Sequence, residues 1–546
     1  MEAGGILMAI SRRKSAEKYI TNPSAKLARE NLDSFVIPTW NPSKNYQKCA
    51  MIVHNRTAQG GSGINTYWST FFLMEGQKRF TVTGYQTSLN IAGFSDQEAV
   101  AIEPVLVQNN PSLALDEYFV DSCLGYAGAF YAVTSKGKLY SGGHNDQGNL
   151  GHNDTTNRYS LLQVTNTSGG VLFGPGGVQA VKVFSTGGPA NTHKTTYVLD
   201  SEGKVYSCGY NANGEVGDGT TTQRNAFLRV GTLENIVTIF TSAYTAWALR
   251  KDGNLYGWGW NGNGQLGVSD TTSRTSPTLS NTGVKKVCTI DNGTYSSTYL
   301  LKADGTVWFT GYSGSNTVSG LGNTTQQTTW QQVTTNLSTR NVVDIVANGH
   351  GGESRSCWAL IDDGSIYSWG YNGYGQLGQN AVTNTSTPQL LTQPTGFPKV
   401  DKMVPFGSAS EYGFKAVNMA SGRMFTVGNW CNGAIGISKD DPSGTWPIEN
   451  PTTNRNHYPA REVESPQPVR QGYATIKDIV AMSSNNSDQT RVFCLLSDGT
   501  VWVKGSNVRG EMGTKQVMVY YSDGSNAPTF QHGNVRWNPT WQQVHF

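Results

Sequence analysis

The chain has few charged residues and no concentration of positive charge. Charged residues make up 14% of the 546-residue sequence, whereas a typical soluble domain has about 25%. The 41 basic and 38 acidic side chains leave a net charge of +3. No lysine- and arginine-rich block marks a surface for the phosphate backbone. Nucleic acid is therefore not an expected partner.

Cysteine is scarce, and long apolar runs are missing. The seven cysteines contain no C-x-x-C pair for zinc or redox work, which fits synthesis in a reducing cytoplasm. No stretch reaches the about 18 apolar residues of a membrane-spanning helix. In the opening sequence MEAGGILMAISRRKSAEKY, the basic residues follow the short apolar run instead of preceding it. We expect no signal peptide and no membrane insertion.

Motifs of the common enzyme classes are also missing. The sequence has no G-x-x-x-x-G-K-[ST], H-E-x-x-H or G-x-S-x-G. Gly257, Gly259 and Gly262 form a G-x-G-x-x-G string, but it lies inside a repeat and is followed by a turn instead of the helix that a dinucleotide site requires. The eight histidines match no metal-binding spacing. We predict no enzymatic activity, no cofactor and no metal ion.

What the chain does contain is glycine, aromatic residues and a repeated hairpin. It has 64 glycines, 14 tryptophans, 25 tyrosines and 19 phenylalanines, a composition typical of an all-β protein with many turns. A turn, a short alternating run and a second glycine recur eight times, as in KDGNLYGWG and DDGSIYSWG. Apolar runs of strand length precede each turn, TAWALR being one. Three or four short strands per repeat predict a closed β-propeller of seven to eight blades.

The most specific part of the repeat is G-x-N-x-x-G-x-x-G. We expect its glycines to supply positive φ angles, its asparagine to adopt a left-handed conformation and bond nearby backbone, and its last apolar residue to fill space between blades. The structural glycines so identified are Gly143, Gly148, Gly209, Gly214, Gly259, Gly264, Gly370, Gly375, Gly505 and Gly510.

These motifs resemble the repeats of the regulator of chromosome condensation family. WGWNGNGQLG and SWGYNGYGQLG match the family pattern almost letter for letter, and the resemblance covers roughly residues 40 to 546. It implies a β-propeller, which has seven blades in that family, whereas eight markers occur here. The pattern leaves open how the ring closes, because residues 36–53 could complete the first blade or strands from both termini could share one.

Two parts of the chain are predicted to bind partners. Residues 1–35 form a separate N-terminal arm of one or two short helices ahead of a propeller spanning residues 36–546, and the long insertions Gly436 to Pro468 and Lys515 to Pro539 carry aromatic residues in a polar setting. The predicted partner-binding residues are Arg12, Arg13, Lys14, Lys18 and Tyr19 in the arm, and Trp446, Tyr458, Tyr520, Tyr521, Phe530 and Trp537 in the insertions.

Three function classes follow from these features. Low charge and abundant Gly, Asn, Thr, Ser and Tyr favour a non-enzymatic structural or attachment protein of a virion, such as a phage tail, baseplate or capsid-decoration protein made in the host cytoplasm. The arm would then bind other virion proteins, and the insertions a host-surface protein or glycan. The family resemblance implies the alternative, a guanine-nucleotide exchange factor or another cellular protein-interaction propeller. An enzyme is the third class and has no motif to support it.

Overall fold

The protein is built almost entirely from β-strands. The computed structural model describes residues 49–53, 68–74, 76, 79–85, 100–106, 111–125, 128–165, 170–186, 193–291, 294–314, 318–350, 354–408, 411–429, 456–482, 490–506 and 537–544. Within these ranges the regular structure is strand apart from one helical turn, α1 (Gln467–Arg470). The predicted all-β class is confirmed, and the predicted helical arm lies outside the described residues.

Four consecutive strands form each antiparallel sheet, and the described residues contain eight such sheets. The first four sheets contain β1 (Cys49–Val53), β2 (Trp68–Met74), β3 (Phe80–Tyr85), β4 (Val100–Leu106); β5 (Phe119–Leu124), β6 (Phe130–Thr134), β7 (Leu139–Gly143), β8 (Arg158–Gln163); β9 (Ala180–Ser185), β10 (Thr195–Asp200), β11 (Val205–Gly209), β12 (Arg224–Arg229); and β13 (Ile236–Thr241), β14 (Thr245–Arg250), β15 (Leu255–Gly259), β16 (Arg274–Asn281). The last four contain β17 (Val284–Asp291), β18 (Ser296–Lys302), β19 (Val307–Gly311), β20 (Gln327–Gln332); β21 (Val342–His350), β22 (Ser354–Ile361), β23 (Ile366–Gly370), β24 (Thr385–Leu390); β25 (Lys402–Ser408), β26 (Glu411–Val417), β27 (Met424–Asn429), β28 (Asn456–Val463); and β29 (Ile476–Met482), β30 (Arg491–Leu496), β31 (Val501–Ser506), β32 (Trp537–Gln543).

Strand order gives the molecule two chemically distinct faces. The first strands of successive sheets contact one another, so they lie nearest the centre. Because neighbouring strands are antiparallel, the connections from first to second and from third to fourth strand emerge on one side, which we call the loop face. The tight turns between second and third strands and the links between sheets emerge on the opposite side, the turn face.

Apolar side chains fill the seams between successive sheets. The described residues form eight buried apolar clusters, and each joins two sheets that follow one another, the last joining the eighth sheet to the first. In that closing seam Phe72 packs edge-on against Phe493 with ring centroids 5.9 Å apart, and the Cys49 N–H donates to the Gly499 carbonyl at 2.9 Å. No described sheet mixes strands from the two ends of the chain. Closure therefore depends on packing between complete sheets, and β1 completes the first of them.

A buried asparagine organises each glycine-rich loop. The Asn261 side-chain oxygen accepts from the Leu266 N–H at 2.9 Å, and its amide donates to the Asp270 carbonyl at 2.9 Å. The same two bonds, to residues five and nine positions ahead, recur at Asn145, Asn211 and Asn372. All four side chains are at most 1% exposed.

The predicted left-handed conformation of these asparagines is wrong. The described non-glycine residues with positive φ include other asparagines but none of these four. Their recurrence in the repeat comes from the side-chain amide, which offers one acceptor and two donors and can bridge both arms of the loop. The expected backbone bonding is present, and so is the predicted filling of the seams, since Leu150, Val216, Leu266 and Leu377 are fully buried.

The glycine that ends each third strand is required by a close backbone approach. Gly259 has φ of 93°, and a β-carbon there would lie 2.3 Å from the Tyr244 carbonyl oxygen. That oxygen also accepts the Trp260 N–H at 2.9 Å. Gly209, Gly311 and Gly370 show the same contact with the carbonyl fifteen positions earlier, so the position excludes every larger residue.

We predict that Asn261→Ala and Asn372→Ala each lower the free energy of unfolding by about 2 to 3 kcal/mol, because each leaves a buried N–H and a buried carbonyl unsatisfied. Asn341→Ala is the matched control, since Asn341 is exposed and bonds only at the surface; it should cost under about 0.5 kcal/mol. Urea unfolding of the three variants checks this. Equal midpoints for Asn261→Ala and Asn341→Ala would contradict it.

A second prediction separates steric clash from backbone strain. Gly283 also has positive φ, 66°, but nothing lies within 4 Å of a β-carbon there. Gly283→Ala should therefore cost only the strain of the left-handed conformation, about 1 kcal/mol, whereas Gly259→Ala should cost about 3 kcal/mol or more because backbone must move. Thermal unfolding of the two variants measures the difference, and a smaller loss at Gly259 would refute the close-approach argument.

A third prediction concerns Glu215, which replaces the glutamine of the G-Q-L-G motif. Gln265 uses its amide to donate to the Trp260 carbonyl at 2.7 Å, a bond that an ionised carboxylate cannot make. Glu215 is 1% exposed, and this burial raises its pKa above 4.5, against the hydrogen bonds from Asn213 that lower it.

Because the folded-state pKa of Glu215 is raised, its contribution to stability is fully present below the unfolded pKa and is lost as pH rises through the folded pKa. Glu215→Gln should therefore stabilise the protein by about 1 kcal/mol at pH 8, with a smaller gain near pH 4. Gln265→Glu, the reverse change, should destabilise most at pH 8. Melting temperatures of both variants at the two pH values test the sign, and a gain from Glu215→Gln that grows towards low pH would contradict it.

Candidate functional site

The turn face carries solvated ion pairs. Lys136 pairs with Asp116 at 2.6 Å and Arg423 with Glu462 at 2.6 Å, all four side chains being substantially exposed. Exposed pairs of this kind contribute little free energy, and a protein interface depletes its core of such charges. Tyr473, 81% exposed, is a large aromatic side chain standing on this face.

The loop face instead presents an aromatic side chain at one position of the repeat, directly after the glycine that ends the third strand. Four successive sheets, the third to the sixth, place Tyr210, Trp260, Tyr312 and Tyr371 there. The Trp260 N–H donates to the Tyr244 carbonyl, and the Trp260 carbonyl accepts the Thr245 hydroxyl at 2.9 Å. The equivalent pairs of bonds hold the other three residues. The repeat backbone therefore fixes these side chains at equivalent sites.

A second glycine clears space for three of the rings. A β-carbon at Gly262 would lie 2.6 Å from the Trp260 indole, and one at Gly373 would lie against the Tyr371 hydroxyl. Gly314 stands in the same relation to Tyr312, at 3.0 Å. In the sequence G-[WY]-[NS]-G, the last glycine thus sets the orientation of the aromatic residue.

Side chains from the connections between first and second strands extend this set across the seams. The His193 ring lies 4.3 Å from the Tyr210 ring and 4.6 Å from the Tyr244 ring, and Tyr244 lies 6.0 Å from Trp260, measured between centroids. We call the loop-face set the aromatic arc; it consists of His193, Tyr210, Tyr244, Trp260, Tyr295, Tyr312, Tyr371 and Tyr374. All eight side chains are half-buried, so each is held in place while part of its ring remains accessible.

Arg355 anchors the arc at the fifth and sixth sheets. Tyr295 and Tyr312 stack with centroids 4.3 Å apart, and the Arg355 guanidinium lies 5.6 and 5.2 Å from the two ring centres. Arg355 also donates to the Ser297 hydroxyl at 3.2 Å and to the Tyr295 carbonyl at 3.0 Å. Since this arginine is 2% exposed, it orders the two tyrosines from below.

A charged cluster borders the other end of the arc, in the seam between the second and third sheets. The Lys194 ammonium lies 2.6 Å from an Asp146 carboxylate oxygen and 2.9 Å from His144 Nδ1. Burial alone would raise the pKa of Asp146, but hydrogen bonds from His144 and Lys194 lower it to about 2. Burial lowers the pKa of Lys194, against the raising effect of Asp146. The only carboxylate in this cluster is therefore ionised and engaged.

His193 contributes an uncharged ring near neutral pH. Burial lowers the pKa of its imidazole from 6.5, so the ring is mainly neutral at pH 7. The central part of the arc is accordingly aromatic and without net charge.

The sequence-predicted partner residues are not among those that define the aromatic arc. Arg12, Arg13, Lys14, Lys18, Tyr19, Trp446, Tyr520, Tyr521 and Phe530 lie outside the described residues. Tyr458 and Trp537 do not stand in loops, because they belong to the outer strands β28 and β32, which pair with β27 and β31. The predicted insertion boundaries were therefore too wide: the segment Gly436 to Pro468 includes a whole strand, and Lys515 to Pro539 includes the start of another.

The connections from β27 to β28 and from β31 to β32 nevertheless leave and re-enter their sheets on the loop face, since each joins a third strand to a fourth. Among the structural glycines, nine have positive φ, from 69° at Gly148 to 115° at Gly209 and Gly505, while Gly510 lies outside the described residues.

The aromatic arc itself was missed at the sequence level. Its signal was available, because an aromatic residue follows the second glycine of the hairpin in five copies of the repeat.

The described residues offer neither a cluster of metal ligands nor a membrane-spanning helix. Within the described ranges, no group of three or more His, Cys, Asp or Glu side chains is placed to hold a metal ion. No helix in the same part of the chain has the length and apolar character needed to cross a membrane.

Comparison with known proteins identifies the repeats. The model of the regulator of chromosome condensation (RCC1) repeat matches residues 252–300 and 363–428, and a second model of the same repeat matches residues 236–265. These matches fall on the fourth to seventh sheets.

Two relatives and one solved structure illustrate what this chain is similar to. The human E3 ubiquitin-protein ligase HERC2 is 26% identical over 219 residues, 39% of this chain but only 4% of its own length. The X-linked retinitis pigmentosa GTPase regulator of Canis lupus familiaris is 34% identical over 73 residues, 13% of this chain and 7% of its own. Prp20p from Saccharomyces cerevisiae superposes with a TM-score of 0.48 at 16% identity, covering 75% of this chain and 86% of its own. Residues 236–300 and 363–428 of this chain therefore carry repeats of the regulator of chromosome condensation type.

Proposed function

We propose that this protein is a protein-interaction platform that binds its partner through the aromatic arc on the loop face. The arc is the observation that carries the proposal. Tyrosine, tryptophan and arginine are the residues enriched at the centres of protein interfaces, where a few of them supply most of the binding free energy. Half-buried rings held by the repeat backbone lose little conformational entropy on binding.

The relatives support the cellular alternative over a virion component. The matched proteins include a ubiquitin ligase from human and mouse and a GTPase regulator from dog, and none of these names points to a virion. The binding of virion proteins by the N-terminal arm, and of a host protein or glycan by the insertions, stays a prediction. So does the absence of enzymatic activity.

A small GTPase is the first partner to test. One relative is named a GTPase regulator, and the sequence resemblance implies nucleotide exchange as an alternative activity. Nucleotide exchange, the second candidate function, would use the same face of the propeller. One set of variants therefore tests partner binding and nucleotide exchange together.

The blade number belongs to the same proposal: we take all eight sheets to be blades of a single ring. Support comes from the eight apolar seams, one between every pair of successive sheets, including the pair made by the two ends of the chain. An additional blade relative to the seven of the family pattern widens the loop face available to a partner.

The test places a photo-crosslinking phenylalanine analogue at one arc position, Trp260, and at Tyr473 on the turn face as the matched control. Crosslinks to a discrete partner are expected from position 260 and not from position 473. Trp260→Ala should weaken capture of that partner about tenfold or more, because truncating a central aromatic typically costs about 2 kcal/mol. Crosslinks confined to position 473 would refute the assignment of the loop face.

The rate of nucleotide release distinguishes an exchange factor from a binding platform without exchange activity. The purified protein is mixed with small GTPases carrying a fluorescent nucleotide, and release is followed with and without the Trp260→Ala change. Acceleration that the substitution removes would support exchange activity. No acceleration, with crosslinks at position 260 retained, would leave a binding platform without exchange activity.

A further inference from the structure

We infer that the seam between the seventh and eighth sheets, which we call the lysine seam, is controlled by protons. Two buried lysines, Lys415 and Lys504, share a hydrogen bond while the seam is closed, and a further proton on this pair loosens it. The inference goes beyond the proposed function, because it concerns a regulatory property of the ring and not the partner. Three observations lead to it: the positions of the lysines in the repeat, their burial and their contact with each other.

The two lysines stand where other sheets carry a pair of uncharged donors. In the seam between the third and fourth sheets, the Tyr197 hydroxyl and the Trp258 indole both donate to the Glu215 carbonyl, at 2.5 and 2.8 Å. Lys415 occupies the position of Tyr197, two residues after the partner of the strand-ending glycine. Lys504 occupies the position of Trp258, directly before that glycine. The lysine seam therefore brings two amines together where the repeat elsewhere joins a hydroxyl and an indole.

Both side chains face the apolar interior of the seam. Lys415 pairs across strands with Val404, and Lys504 pairs with Val492. Both valines belong to the buried cluster that joins the seventh sheet to the eighth, and cross-strand partners share one face of a sheet. Lys415 is 0% exposed and Lys504 is 1% exposed. Because an ammonium group loses its hydration on burial, each proton held here costs free energy.

The contact between the two amines requires one of them to be uncharged. The Lys415 and Lys504 side chains are hydrogen-bonded to each other. An ammonium group offers three donors and no acceptor, so it can donate only to a neutral amine. Burial lowers the pKa of Lys504 to about 7, while Cys494, Lys415 and Glu464 raise it by smaller amounts. The closed pair therefore holds one proton and takes up the second near neutral pH.

The groups around Lys504 supply no buried anion within the described ranges. Burial raises the pKa of the Cys494 thiol well above its ordinary value, so this thiol stays uncharged. The Glu464 side chain is 70% exposed and pairs with Arg470 at 3.1 Å. The Trp541 ring centre lies 4.4 Å from the Lys504 nitrogen, but the attraction of an indole for a cation is weaker than the cost of burying that cation. A second proton is therefore not compensated.

The direction of the pH effect follows from the lowered pKa of Lys504. In the opened seam this lysine is solvated and returns to its ordinary pKa of about 10.4. The closed seam is therefore most stable above that value, loses stability as pH falls, and loses no more below about pH 7. Lys504 directly precedes Gly505 at the loop-face end of β31. Loosening accordingly acts where the connection from β31 to β32 leaves its sheet.

The experiment measures hydrogen exchange of the full-length protein between pH 7.5 and pH 9.5, with rates corrected for the intrinsic pH dependence of exchange. The opening constant of peptides from β30 and β31 should fall about tenfold for each added pH unit. Peptides from β22 and β23 serve as the internal control, because their seam with the fifth sheet contains the uncharged donors Tyr299 and Trp369. They should show no such slope.

Single substitutions assign the slope to the pair. Lys504→Met and Lys415→Met each leave one amine, which keeps its proton, so each should remove the slope and lower the opening constant at pH 7.5 about tenfold or more. Lys477→Met is the matched control, since Lys477 is exposed on β29 of the same sheet, and it should leave the slope unchanged.

A slope that persists in both lysine-pair variants, a slope of equal size in peptides from β22 and β23, or an opening constant that does not change with pH would overturn the inference. If one of the two variants does not fold, the other still decides.

Discussion

The buried asparagine amide is the interaction on which the repeat depends. It joins residues five and nine positions ahead into one closed loop, and that loop lies against the outer strand of the next sheet. At Gly264 the approach is so close that a β-carbon would lie 2.8 Å from the Gln327 carbonyl oxygen in the following sheet. If the loop lost its internal hydrogen bonds, Gly264 would no longer be held this close to the next sheet, and the seam beside it would open. The packing between sheets therefore depends on the hydrogen bonds within each loop.

The same constraint determines where function can reside. Backbone carbonyls and side-chain hydroxyls of the loop hold the main chain of the residue after each strand-ending glycine. The side chain at that position can therefore vary without changing the fold. The chain uses this freedom to place tyrosine or tryptophan there in four successive sheets, and the neighbouring connections add His193, Tyr244 and Tyr295. Loops on a rigid scaffold generally carry recognition, and here the scaffold extends into the loop itself.

The sequence was sufficient for the fold and insufficient for the site. Alternation, turn glycines and a fixed period are local features, so they predicted the all-β class, the hairpins and the apolar seam residues such as Leu266. The conformation of Asn261 was predicted wrongly, because the propensity of asparagine for positive φ was given more weight than the hydrogen-bonding capacity of its amide. The aromatic arc joins residues such as His193 and Tyr244, which are distant in sequence and meet only across a seam, and no periodicity within one repeat reveals that contact. The virion hypothesis rested on composition, which reflects the turns of any propeller as much as its cellular location.

Ring closure illustrates how packing can replace shared strands. A propeller held shut by a sheet containing both termini has backbone hydrogen bonds across its joint, whereas here Cys49 and Gly499 provide one backbone bond and the apolar cluster around Phe72 and Phe493 provides the rest. Such a joint is built like the other seams, since each also joins two complete sheets mainly through apolar side chains. Ring closure therefore requires no structurally privileged blade boundary. The loop face can accordingly differ from blade to blade, with aromatic rings on the third to sixth sheets and long insertions on the seventh and eighth.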